Sequence, residues 1–172
     1  MKNEIRGNGK GFTLMELLIV MVILSILVAI ATGTFATSSK RGRDNKRKSD
    51  LRNVATALEA YYADKGAYPT GVGGVMMGCG VGDTSECAWG DSTNGFKDQY
   101  GTLYMVLIPS DPIDTQTYYY VSGGTSYQLY AKLENIRDAG DGVNQSGYTG
   151  TNCSENGIVL CTYGIASSNT TP

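Results

Sequence analysis

Histidine is absent from this sequence, tryptophan occurs once and proline four times. Without histidine there is no Ser-His-Asp or Cys-His arrangement for nucleophilic catalysis. A zinc site would lack its nitrogen ligands, and no Cys-x-x-Cys run supplies the usual sulfur pair. No Gly-x-x-x-x-Gly-Lys run is present to cradle a phosphate. The formal net charge is only −2, which gives no general case for nucleic-acid binding. These absences point to a structural protein rather than an enzyme.

Charge is scarcest near the start. From Phe12 to Phe35 the single formal charge is Glu16. At about 1.5 Å per residue such a helix can cross a hydrocarbon core, which takes roughly 20 residues. A carboxylate at the bilayer centre costs about 2–3 kcal/mol or more, so an acid in a spanning segment marks a functional site. Two plainer readings compete. A cleaved signal peptide would account for the basic start (Lys2, Arg6, Lys10), the apolar run and the small residues at Ala29-Ile30-Ala31. A plain membrane anchor is the other. Glu16 counts against the signal peptide, which gains nothing from an acid at the head of its apolar region.

The run Lys10-Gly11-Phe12-Thr13-Leu14-Met15-Glu16-Leu17 resembles the class III signal of type IV pilins and of the pseudopilins of type II secretion. The resemblance implies that a prepilin peptidase cuts after Gly11 at the cytoplasmic face and that Phe12 becomes an N-methylated N-terminus. It also implies that subunits wait in the inner membrane until an assembly platform, of a pilus or of a secretion machine, builds them into a helical homo-oligomeric filament. Glu16 would then neutralise the amine of a neighbour's Phe12. The segment ending Asp64-Lys65-Gly66-Ala67-Tyr68-Pro69 is similar to the close of the helix in the same family.

Cys79, Cys87, Cys153 and Cys161 form an even set in a chain with an export signal, and read as two disulfides in an oxidising compartment. Four cysteines allow three connectivities. The local pairs, Cys79 with Cys87 and Cys153 with Cys161, are favoured by their short spacing; zinc is the runner-up.

The chain divides into a leader (1–11), a transmembrane and filament-core helix (12–36), an amphipathic second half of that helix (37–66) and a head (67–172). A basic collar of Lys40, Arg41, Arg43, Lys46, Arg47, Lys48 and Arg52 reads as a solvated face, as juxtamembrane charge or as a binding surface. Leu51, Val54, Ala55, Leu58, Tyr61 and Tyr62 make one apolar stripe at helical spacing. Gly66 suits a helix cap and Pro69 stops the helix. Gly71 to Gly95 reads as a long glycine-rich connection, and Phe96 to Ile108 as a short helix. Tyr118–Val121 and Ser126–Leu133 read as a β-hairpin, and Ile158–Ile165 as a third strand.

The fold expected is therefore α+β and pilin-like, with a long N-terminal helix packed on a three- or four-stranded antiparallel sheet. The function expected is that of a structural subunit of a type IV pilus-like filament. One alternative is the major pseudopilin of a type II secretion system, which would form a periplasmic pseudopilus. The other is a minor tip pilin that binds DNA or a surface through the collar or the cysteine loops. The pseudopilin resemblance brings one further expectation, a calcium loop after the second strand. Here Asn135, Asp138, Asp141 and Asn144 offer oxygen ligands of the kind calcium takes.

Overall fold

A computed structural model describes residues 11–80 and 85–172; side chains at 31–34 and 36 are outside the description. The leader is therefore described only at Gly11. The helix α1 spans Leu14–Lys65. The chain forms two compact units, one through Ser39 and one from Lys40 to Pro172.

In the first unit the apolar side chains are uncovered, from Phe12 (84% exposed) through Leu14 and Ile19 to Ile30. Among the described residues, no helix is long and apolar enough to cross a membrane. The spanning segment expected over 12–36 takes in side chains outside that description.

The second unit is built around the last part of α1. Leu51, Val54, Ala57, Leu58 and Tyr61 are buried there, while Ala55 is half-buried and Tyr62 largely exposed. These residues pack with Ile108, Phe96, Tyr118, Tyr120 and Leu129 in one core. Burial of each large side chain in it stabilises the fold by about 1.5–3 kcal/mol. Gly66 ends the helix in the left-handed region (φ 74°), and its N–H donates to the Tyr62 carbonyl at 2.8 Å.

Strands β1 (Gly71–Val72), β2 (Val75–Cys79) and β3 (Ser85–Cys87) form one antiparallel sheet. The hairpin of β4 (Phe96–Lys97) and β5 (Leu103–Met105) forms the second. The third sheet is β6 (Tyr119–Ser122), β7 (Tyr127–Ala131) and β8 (Tyr163–Ala166), in that order and antiparallel. The α+β layout is as expected, with three-stranded or smaller sheets.

Three local expectations are corrected. Gly71 to Gly95 holds a small sheet within what reads as loop. Phe96 to Ile108 is a hairpin and not a helix, because the Asp98 carboxylate accepts the N–H groups of Tyr100 and Thr102 and closes a tight turn. Tyr100, Leu103 and Leu107, which a helix would set on one side with Tyr104, are exposed, while Tyr104 packs on Tyr61 and Phe96. The last strand starts at Tyr163 because the chain before it is drawn into the loop between Cys153 and Cys161.

Gly74 joins the first and third sheets. Its carbonyl accepts from Tyr120 N at 2.9 Å and from Trp89 Nε1 at 3.1 Å. It sits at φ 87°, and a Cβ there would meet the Tyr119 ring at 2.3 Å.

Cys79 is bonded to Cys87 and Cys153 to Cys161, each pair eight positions apart. Both disulfides are buried, the second packed with Tyr130. Loops this short are worth about 2–3 kcal/mol each in the chain-entropy picture. Converting either pair to serine should lower the urea midpoint by a corresponding amount. Equal midpoints for reduced and oxidised protein would show that the bridges add nothing to stability.

Candidate functional site

Glu16 lies in the first turn of α1, three residues after Thr13. The Glu16 N–H donates to Thr13 Oγ1 at 3.2 Å. In return, Glu16 Oε2 accepts from Thr13 N at 2.9 Å and from Thr13 Oγ1 at 3.0 Å. This is a reciprocal capping box, which satisfies helix-end donors that would otherwise lack partners. It fixes the carboxylate at the head of the helix beside Phe12. Gly11 and Phe12 are both exposed.

Part of the collar is solvated, with Lys40, Arg41 and Arg52 exposed, and part is not. Four of its cations are committed within the second unit. The Arg47 guanidinium is fully buried and forks onto Asp111, with Nε to Oδ2 at 2.7 Å and Nη2 to Oδ1 at 2.8 Å. Its Nη1 donates to Asp44 at 2.7 Å and to Glu134 at 2.9 Å. Arg43 grips Glu134 with two bonds of 2.6 Å. Lys46 pairs with Asp50 at 2.8 Å, and Lys48 with Asp138 at 2.6 Å. Asp44 completes the lock by accepting the N–H groups of Glu134 and Asn135, each at 2.9 Å.

Residues 43, 44, 47 and 48 share one face of α1 because they are three or four apart in pairs. That face clamps the chain that follows β7. Burial works against the Arg47 charge, but its bonds to Asp111, Glu134 and Asp44 more than offset this, and its pKa rises. The Arg43 pair, aided by Arg47, holds Glu134 down at about 2. At the end of α1, Lys65 pairs with Asp98 at 2.8 Å and holds that carboxyl at about 2.

Sequence reasoning missed this lock because its partners are 64 to 91 residues apart. One signal was available: Asp44 and Asp50 are set among the cations at helical spacing. Asp111 takes its structural role, bonding Ile113 N at 2.8 Å as well as Arg47.

The four candidate calcium ligands do not converge as acids. Asp138 is bound to Lys48, Asp141 is exposed, and Asn135 and Asn144 accept N–H groups of their own loop. Among the described residues, no group of three or more Cys, Asp or Glu could hold a metal ion.

Residues 6–32 match the prokaryotic N-terminal methylation motif. The chain is 33% identical to type II secretion system core protein G of Vibrio cholerae over 59% of its own length and 72% of that protein. It belongs to the pilin and pseudopilin family. Core protein G of Pseudomonas aeruginosa is 29% identical over 73% of this chain and 84% of its own. The type IV major pilin protein PilA of Myxococcus xanthus is 37% identical, over 34% of this chain and 27% of its own. No solved structure gives a significant match. Within the family, the motif covers Gly11, Phe12 and Glu16 but stops short of the collar.

Proposed function

We propose that this chain is a structural subunit of a type IV pilus-like filament. A prepilin peptidase cuts it after Gly11, and it assembles through the helix that begins at Phe12. The observation that carries the reading is the methylation motif over residues 6–32, with Glu16 held at the head of α1 beside the cleavage site. On this reading the subunit is anchored in the inner membrane before assembly. The exposed apolar side chains between Phe12 and Ile30 then become the contacts of the filament centre. An assembly platform is its further partner. The divisions at 11, 36 and 66 keep the same meaning: leader, filament-core helix, amphipathic half and head.

A second reading is favoured by coverage. The core protein G match to Pseudomonas aeruginosa extends over 73% of the chain, whereas the PilA match covers 34%. This supports a pseudopilus subunit of a secretion machine. A tip protein that binds DNA through the collar would have to use Lys40, Arg41 and Arg52, which are exposed, since the other four collar cations make ion pairs within the subunit.

Electron microscopy of sheared surface filaments, with mass spectrometry of their main subunit, tests the pilus reading. Filaments dominated by this chain establish it. Their absence, with secretion lost on deletion, favours the pseudopilus. The intact mass of the mature protein should correspond to a start at Phe12 with one added methyl group. A start at Thr32 would instead establish a signal peptide.

A further inference from the structure

The loop after β7 is where the pseudopilin resemblance leads one to expect calcium, yet of the four candidate ligands Asn135, Asp138 and Asn144 already have internal partners, and Asp141 is exposed. Asp138 Oδ2 accepts from Lys48 Nζ at 2.6 Å, and Oδ1 accepts from Gly140 N at 3.2 Å. The carbonyls of Asn135 and Asp138 both accept from Gln145 Nε2, at 3.2 and 2.8 Å. Asn144 is turned into its own turn: its Oδ1 accepts Ser146 N and its Nδ2 donates to the Gly147 carbonyl.

Calcium takes six to eight oxygen ligands from carboxylates, carbonyls and waters. Here it would have to displace an ammonium from Asp138 and an amide from two carbonyls. The ammonium is itself well held. Its side chain is 18% exposed, and Nζ lies 5.3 Å from the centre of the Tyr163 ring on β8. The start of the loop is fixed without metal too, since Asp44 takes the N–H groups of Glu134 and Asn135.

We infer that Lys48, reaching across from α1, serves as the loop's built-in cation, with Gln145 as its clasp, so that the head of this protein is closed without calcium. Lys48 supplies a single charge to Asp138 and ties the loop to α1 and β8 at once. Gln145 spans the turn by holding two carbonyls that would otherwise face solvent. The inference concerns the head alone and holds for either filament type.

The test uses full-length protein in detergent. Its melting temperature should be the same in EDTA and in millimolar calcium chloride, and elemental analysis should find no stoichiometric calcium. Arg137 is exposed within the loop, so tryptic cleavage after it reports loop opening. Lys48→Met should speed that cleavage several-fold, Lys48→Arg should restore it, and Gln145→Ala should also speed it without touching the core. A melting temperature lowered by EDTA, or about one calcium per chain, would overturn the inference. So would unchanged cleavage in Gln145→Ala together with either unchanged cleavage or failure to fold in Lys48→Met.

Discussion

Glu16→Ala should leave cleavage after Gly11 largely intact and abolish filament assembly. Cleavage depends on the residues around the cut, and the head folds from Lys40 onward without contribution from Glu16. Assembly differs. On the proposed reading the new amine at Phe12 enters an apolar bundle, and desolvating an unpaired charge costs several kcal/mol. Yet Ala also removes the capping box, and losing a cap costs about 0.5–2 kcal/mol by itself. Glu16→Gln separates the two effects. Gln keeps an oxygen for Thr13, as capping boxes allow, but supplies no negative charge. If charge pairing sets the register, Gln should fail nearly as badly as Ala. Mixed with wild type, both should shorten filaments. Normal filaments from Gln with failure in Ala would assign the role of Glu16 to the cap. Normal filaments from Ala would mean that bundle packing suffices.

The parts of this chain that could be read from sequence are those set by near neighbours. The stripe at Leu51, Val54, Leu58 and Tyr61 is a period-3.6 pattern, and it is the buried face of α1. Gly66 needs only its own φ to stop the helix. Short spacing favours the local cysteine pairs because small loops close at little entropic cost. Misreadings arose where one side chain redirects the backbone. Asp98 gathers two N–H groups into a turn, so apolar residues that would suit a helix become a hairpin. Glycines at 73 and 74 similarly let short strands form where composition suggests loop.

The collar was illegible for a different reason. A run of cations has the same sequence signature whether it faces solvent, headgroups or carboxylates from elsewhere in the fold. Arg47, at the centre of the run, is among the largest fully buried side chains of the protein. Only the three-dimensional approach of Asp111 and Glu134 makes that burial tolerable. Charge pattern thus located the residues that join helix to head without revealing that they do so. The same cause hid the contact at the candidate calcium loop, where the cation beside Asp138 comes from Lys48, 90 residues earlier.

Arg47→Met should be among the most destabilising single changes in the second unit, costing about 3–5 kcal/mol, the range for breaking a buried ion pair from one side. Against a total stability of about 5–15 kcal/mol for a domain, that is a large share. Met fills much of the volume, so the loss is electrostatic: Asp111, with a fully buried side chain, loses its fork. Arg47→Lys should recover only part of the loss, because a point charge cannot make two parallel bonds. The pH dependence identifies the cause. In the wild type Glu134 is depressed to about 2 from 4.5, so its stabilising effect is fully present above pH 4.5 and is lost as pH falls toward 2. In the variant Glu134 keeps its Arg43 pair but loses the bond from Arg47, so less of this pH-dependent stabilisation remains. Urea unfolding of full-length protein in detergent should therefore show the gap between wild type and Arg47→Met narrowing from pH 7 to pH 3. A gap that stays constant across that range would mean that Arg47 acts through packing rather than charge.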